Sequence, residues 1–398
     1  MNRILHLGVG NFFRAHGAWY TRDLADWRIT GVSLRSPMVR NGLAARNYAY
    51  SVVIKDAGGT RIDRVAAIDR MIVGPEDPEA VVAAIADPKV AVVTLTVTEK
   101  GYHLGPDGTL DLRDPTVVAD FDGAPVTAIG ALAHGLSRRT APATVLSCDN
   151  LPGNGAKLGA AIRRFTQLAG LPLPAPVTFP SSMVDRITPA TTDEIRAEAD
   201  DPMAVPTEGF SEWVIENDFA GLRPDWPGVQ WVDDVAPHEM RKLRMLNGAH
   251  SYLAYAGVGR GHTYVHEAIA DPELRSGARA LMSEAAETLP DAVRAVAQSY
   301  AKALIARFEN PNLHHRLRQI AMDGSQKMPI RIVETIHDRA GRPSPALAAA
   351  VEAWIAFVQA EVAAGRALDD PMASTLVEAC NDPEPQTALR RIIQPKSG

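Results

Sequence analysis

The chain has 398 residues, of which 46% are hydrophobic and 22% charged, and its net charge is −6. That balance excludes a disordered, collagen-like or coiled-coil chain. The mild acidic excess gives no global field for nucleic acid or an anionic membrane, and the length fits two domains. Residues 3–10 read as a short strand ending in Gly8-Val9-Gly10, 12–26 as a helix and 29–34 as a second strand. Residues 50–55 and 61–73 are further strand material, and 78–86 (PEAVVAAIA) is helical. The uncharged β-branched run 90–97 (VAVVTLTV) has the composition of a strand buried on both faces. A helix over 126–137, a strand over 144–147 and a helix over 156–168 follow. Strands alternating with helices predict an α/β domain with a mainly parallel sheet.

The second half changes character. Beyond Trp226, Pro227, Trp231 and Pro237 the strands stop, and 238–256, 272–288, 292–307, 312–322, 329–339, 345–363 and 372–379 read as helices. The expected organisation is a Rossmann-type dinucleotide-binding domain over 1–235 and a mostly helical domain, carrying substrate and catalysis, over 236–398. The last four residues are expected to be loose. The N-terminal apolar run is broken by His6 and Arg14, too early for a signal segment, and no apolar run of membrane length is read further on. Two cysteines, Cys148 and Cys380, build neither a disulfide framework nor the thiolate set of a zinc site. A cytoplasmic protein, active as a monomer or weak homo-oligomer, is expected.

Gly8-Val9-Gly10 ends one strand and opens a helix. Glycine there lets a pyrophosphate approach backbone N–H groups at a helix start. The third glycine of the full dinucleotide fingerprint is replaced by Phe13. Arg14 adds a cation in the first helical turn, suited to a phosphate. At the end of the second strand an acid would hold the ribose 2′-hydroxyl of NAD, and a base would accommodate the 2′-phosphate of NADP. Arg35 and Ser36 stand there instead of an acid, which leaves both coenzymes open.

The segment 238–256, HEMRKLRMLNGAHSYLAYA, carries the chemistry. On a regular helix, with Lys242 at zero, Glu239 falls at about 60°, His250 at about 80° and Asn247 at about 140°. Leu243, Leu246 and Leu253 share that arc, while Arg241, Arg244, Gly248 and Ser251 take the opposite side. A lysine among leucines loses proton affinity and suits a general base. An asparagine amide stabilises a developing alkoxide, and a histidine orients a hydroxyl. Beside a nicotinamide, this set oxidises a secondary alcohol without metal. The Tyr-x-x-x-Lys device of short-chain dehydrogenases, HExxH, a Walker loop and GxSxG are all absent from the sequence.

LGVGNFFRAH (7–16), TLTVTEKGY (94–102), SCDNLPGNG (147–155), FPSSMVDRITP (179–189), KLRMLNGAHSYLAYAG (242–257) and RFENPNLHHRLRQIAMDGSQKMPIR (307–331) together resemble the signatures of the mannitol dehydrogenase family. These are the polyol-specific long-chain dehydrogenases, which include uronate reductases. The resemblance implies a Rossmann domain followed by a helical domain, metal-independent chemistry, and NAD as the usual coenzyme with some NADP users. It implies Lys242 as general acid/base, Asn150 and Asn247 as the oxyanion pair, and His250 as the residue that positions substrate. Glu239 matches a carboxylate that assists proton exit, and Asp185 a substrate-side acid. Asn11, Phe12, Thr98 and Glu99 fall in the motifs beside the coenzyme. This chain is shorter than most members, trimmed near the second strand and between the domains. It reads Ser181 where Asn is common.

A neutral polyol needs only hydroxyl partners, whereas a keto-uronate brings a carboxylate that wants a fixed cation. Arg316, Arg318, Lys327 and Arg331 surround the DGSQ stretch, and the wording QIAMDGSQK looks more like uronate reductases. The expected substrate is therefore a sugar acid, mannonate/fructuronate, met by Arg318 and Lys327, with mannitol/fructose as the alternative. A nicotinamide-binding regulator without turnover is the alternative of a different class.

Overall fold

The computed structural model describes residues 1–394, so the four-residue tail lies outside the described residues. The chain divides into two compact units, Met1–Ala236 and Pro237–Gly398.

The strands all lie in the first unit. β1 (Asn2–Leu7), β2 (Trp27–Ser33), β3 (Tyr50–Asp56) and β4 (Gly59–Val65) come first. β5 (Ile68–Val73), β6 (Val90–Leu95), β7 (Ala143–Ser147) and β8 (Val177–Thr178) follow. β9 (Ser182–Asp185), β10 (Val205–Glu208), β11 (Glu212–Glu216) and β12 (Gln230–Val232) complete the set. The main sheet has the order β5-β2-β1-β6-β7-β8, and every pairing in it is parallel. Taken along the chain, its members follow the doubly wound order 3-2-1-4-5-6, which reverses between β1 and β6. β6 earns its central place by composition, since Val90, Val92, Val93 and Leu95 are all buried. Two of the flanking helices start on side-chain caps. Asp77 accepts from the Ala80 N–H ahead of Pro78–Ala86, and Thr127 from the Gly130 N–H ahead of Ala128–Ser137. Gly135 lets the second of these sit against Ile85 of the first, where a Cβ would come within 2.4 Å of the isoleucine side chain.

Two expectations are corrected in this unit. The helix read over 12–26 is two short ones, Asn11–Ala15 and Gly17–Thr21, broken at His16. His16 adopts φ −121°, ψ −90° while its ring is buried among Phe12, Tyr20 and Trp213. The run 61–73 is two strands, because β4 folds back antiparallel on β3 in a separate sheet, β10-β3-β4, whereas β5 joins the main sheet. Residues 177–232, for which the sequence predicts no element, hold β9, β11 and β12 as a third small sheet.

The second unit is helical around a single apolar core. Gly248–Gly259 runs through its middle, packed by Pro272–Ala286, Leu317–Ala321 and Pro345–Ala363. The helix Pro345–Ala363 is by length and composition apolar enough to cross a membrane, which corrects the expectation that no run of membrane length follows the N-terminus. Here it is a core element, with Leu347, Ala350, Val351, Trp354, Ile355 and Val358 buried.

Candidate active site

Within the first unit, the carboxyl ends of β1 and β6 meet where the strand order reverses. Gly8 has φ +96°, and a Cβ there would lie 2.2 Å from the Thr96 carbonyl oxygen, so its role is to let two strand ends touch. Thr96 Oγ1 donates to the Gly8 carbonyl at 2.8 Å. His6 bridges beneath, at 2.8 Å from Thr94 Oγ1 and 3.0 Å from Thr96 Oγ1; burial pushes its pKa down to about 3 and keeps it neutral. Gly10 differs from Gly8. Its nearest neighbour to an added Cβ is 3.9 Å away, and no side chain caps the helix it opens. That open approach to a helix start fits a pyrophosphate. Val9 is buried against Gly31, Phe12 stacks on His16 at 5.0 Å, and Asn11 donates to Thr191 Oγ1 at 3.2 Å. Arg35 and Ser36 stand exposed just after β2, as do Thr98 and Glu99 beyond β6.

Arg14 is corrected. Its guanidinium is buried, donating to the Met203 carbonyl at 2.5 Å and to Asn11 Oδ1 at 2.7 Å, over the Tyr50 ring. It ties this unit together and does not stand ready for a phosphate.

Asp149 follows β7 with its carboxylate buried, accepting from the N–H groups of Val97 and Thr98 and from the Tyr102 hydroxyl. Burial pushes its pKa up, while these three donors pull the other way. Its neighbour Asn150 is exposed. Asn154 Nδ2 donates to the Asp149 carbonyl at 3.0 Å and to the Ser182 carbonyl at 2.8 Å, which fixes the peptide that carries Asn150. Asp185 ends β9, buried, paired across to Glu212 of β11.

In the second unit the segment read as one regular helix is helical throughout but not regular. Ala236–Arg241 is α, Lys242–Asn247 is a π-turn, and Gly248–Gly259 is α again. In a π-turn, bonding runs from residue i to i+5, and such turns recur at functional sites. Lys242 and Asn247 are five residues apart; a regular α-helix would set them about 140° apart, and the wider π-turn brings the two positions nearer to one face. A second π-turn, Pro329–Val333, packs against the first. It begins at Pro329, which has no N–H to give and whose ring crowds the preceding turn.

The arginines face protein rather than water: Arg241 lies over the Tyr300 ring at 4.3 Å, and Arg244 is buried, paired with Asp338 and reaching the Thr288 carbonyl. Lys242, Asn247 and Glu239 are half-buried. His250 is buried against Phe308 and His315, and its Nε2 has no hydrogen-bond partner. Burial pushes its pKa well below 6.5, helped by His315, Arg307, Arg331 and Lys242 nearby, so the ring is neutral. Arg331, on the second π-turn, donates to Ser251 Oγ at 3.2 Å.

Arg318 and Lys327 are corrected as substrate cations. Arg318 forms a two-pronged pair with Glu361, which also holds Arg366. The Lys327 ammonium donates to the Met322 carbonyl at 2.6 Å, closing the turn after Leu317–Ala321. Arg316 lies over the Tyr264 ring. Among the described residues, no group of three or more His, Cys, Asp or Glu is arranged to hold a metal ion.

A doubly wound parallel sheet with an open glycine turn at its switch point, together with a helix presenting lysine, asparagine and neutral histidine, defines a nicotinamide-dependent oxidoreductase of polyol or sugar-acid alcohols. The comparisons agree. Residues 2–228 match the mannitol dehydrogenase Rossmann domain and 234–394 the mannitol dehydrogenase C-terminal domain, so the chain belongs to the mannitol dehydrogenase family. It is 41% identical over 405 residues to the D-mannonate oxidoreductase of Escherichia coli (strain K12), covering 93% of this chain and 83% of that one. It is 37% identical over 410 residues to a mannitol 2-dehydrogenase of Phaeosphaeria nodorum, covering 94% and 72%. The solved Pseudomonas fluorescens mannitol 2-dehydrogenase, a ternary complex with NAD and D-mannitol, superposes with a TM-score of 0.84 at 31% identity, covering 98% and 91%.

Proposed function

We propose that the protein interconverts a secondary alcohol and a ketone on a sugar acid, oxidising D-mannonate and reducing D-fructuronate, with NAD as coenzyme and no metal ion. The observation that supports this chemistry is the π-turn Lys242–Asn247, whose wider winding brings the lysine and asparagine positions toward one face. The 41% identity to D-mannonate oxidoreductase supports the sugar acid.

Gly8, Val9 and Gly10, with Asn11 and Phe12, hold the pyrophosphate; Arg35 and Ser36 meet the adenosine ribose; Thr98 and Glu99 flank the nicotinamide side. With Arg35 in place of an acid, NADP is discriminated against only weakly. When bound, the coenzyme would supply the hydride acceptor for oxidation as NAD and the hydride donor for reduction as NADH. Neutral Lys242 accepts the hydroxyl proton at Nζ; in the reverse direction its ammonium gives the proton back. Asn150 and Asn247 donate amide N–H to the oxygen as its charge grows. His250, with its unpartnered Nε2, orients a substrate hydroxyl. Glu239, three residues before Lys242, carries the proton outward, and Asp185 accepts from a substrate hydroxyl. For the carboxylate, Arg331 is the cation: it reaches Ser251, next to His250, while Arg316, Arg318 and Lys327 are engaged elsewhere.

Mannitol oxidation is the second reading, favoured by the likeness to the mannitol 2-dehydrogenase complex over 98% of this chain. NADH consumption with D-fructuronate and D-fructose, repeated with NADPH, separates them. A higher kcat/KM on the keto-uronate, lost in Arg331→Leu while the ketose rate holds, supports the sugar acid. A preference for fructose overturns it, and NADH binding without turnover on either would mark a binding protein.

A further inference from the structure

Thr98 carries φ 65° and ψ 168°. Glycine enters that region freely; a β-branched residue stays there only when its surroundings compel it. Here the surroundings are one carboxylate. Asp149 Oδ1 accepts from the Thr98 N–H at 2.8 Å and Oδ2 from the Val97 N–H at 3.2 Å. Tyr102, at the far end of the short 3₁₀ turn Glu99–Tyr102, donates to Oδ2 at 3.0 Å and pairs with Ser147 Oγ. Residues 97–102 are therefore wound around Asp149, which is itself gripped through its carbonyl by Asn154. Asn154 is anchored in turn, accepting the Ser182 N–H at 3.0 Å. The loop leaves β6 where the sheet order reverses, and Thr96, two residues before Thr98, is bonded to Gly8.

Three donors converge on two oxygens. A carboxylate satisfies all of them, whereas an asparagine would accept at one oxygen and set its own N–H groups against a backbone N–H. The strain in Thr98 makes the loop's shape depend on that carboxylate, because a released threonine returns to negative φ and takes the loop with it.

We propose that Asp149 is a positioning residue of the coenzyme seat: by holding Thr98 at positive φ it fixes the loop Val97–Tyr102 that orients the nicotinamide half of NAD. This rests on the reading of the first unit as the NAD seat, and Asp149 acts without touching the coenzyme.

The test is NADH titration by fluorescence, with steady-state kinetics, on full-length wild type, Asp149→Asn, Thr98→Gly and the double variant. Asp149→Asn should raise the NADH Kd and KM by about tenfold or more, with the KM of the carbonyl substrate within about twofold. Thr98→Gly alone, which adopts the same backbone without strain, gives the reference affinity for a loop lacking the threonine side chain. In the double variant, NADH affinity should fall within about threefold of that Thr98→Gly reference, a rescue that a merely structural aspartate would not permit. Unchanged affinity in Asp149→Asn, or a double variant as weak as the single, overturns the assignment. If Asp149→Asn yields no folded protein, the double variant decides: folded protein that binds NADH supports the assignment, and failure to bind overturns it. A wild type that binds no NADH overturns the coenzyme reading itself, and this assignment with it.

Discussion

The strand ends of the first unit and the π-turn helix of the second handle polar groups in opposite ways. Around Asp149 and Asn154 the buried donors and acceptors satisfy one another, and what is left open is backbone, at Gly10. On the helix the backbone is occupied and side chains are held out, with the buried Nε2 of His250 lacking a partner. A seat made of backbone holds a large ligand in one pose and survives side-chain change. A set of presented side chains performs proton chemistry and is sensitive to each of its members. Coenzyme affinity and turnover should therefore separate along the chain.

The largest test of that separation is Lys242→Ala. Loss of the general base should lower kcat by about 10²–10⁴-fold and leave NADH affinity and Tm near wild type. A variant within a fewfold of wild type would refute the role of the lysine. Gly10→Val should do the reverse, weakening NADH by about tenfold or more as measured by titration, with the fold intact because an added Cβ comes no closer than 3.9 Å to its nearest neighbour, the Gly8 carbonyl oxygen. Unchanged affinity would remove the turn from the seat. Arg244→Ala, two residues from Lys242, sharpens the contrast within one helix. It breaks a buried arginine's pair with Asp338 and should cost about 1–3 kcal/mol in denaturant unfolding, while kcat stays within severalfold. A collapse of kcat without loss of stability would contradict its structural role.

The smallest effect is in pH. The folded protein keeps His6 neutral down to about 3 and His315 down to about 4, and His250 also titrates well below 6.5. The unfolded chain protonates all three near 6.5. Below that pH the unfolded state binds more protons, so stability is complete above about 6.5 and falls as pH drops toward 4. Thermal unfolding between pH 7 and pH 4 reads this directly. A flat Tm across that window contradicts it, and His315→Asn should make the decline shallower.

Much of this was legible in the sequence. The helix Pro345–Ala363 and the uncharged strand β6 carry strong patterns, and the parallel sheet of the first unit follows from the alternation of its strands with helices. The short strands of 177–232 were not legible, because two- to five-residue strands among prolines and tryptophans carry no periodicity. Lys242, Asn247 and His250 could be singled out by residue type, but their alignment could not be read. Lys-Leu-Arg-Met-Leu-Asn is a run of good helix formers with nothing in it to mark a π-turn. Arg14, Arg318 and Lys327 show the converse limit. A cation in a motif looks available until the carbonyl or carboxylate that claims it, 5 to 189 residues away, is in view. Asp149 stood beside Asn150 in a quoted motif and was passed over, since the φ of a threonine 51 residues earlier has no trace in the sequence.

The π-turn at Lys242–Asn247 holds one residue more than the α-turn it replaces. That surplus residue offsets the two flanking α-segments by about 100° around the helix axis. Deleting one residue between Lys242 and Asn247 would let the helix close into an unbroken α-spiral with the lysine and the asparagine four apart and still within about 40° of each other, whereas straightening the turn at its present length would set them about 140° apart. The alignment of base and amide thus depends on the wider turn accommodating five residues where an α-turn would take four.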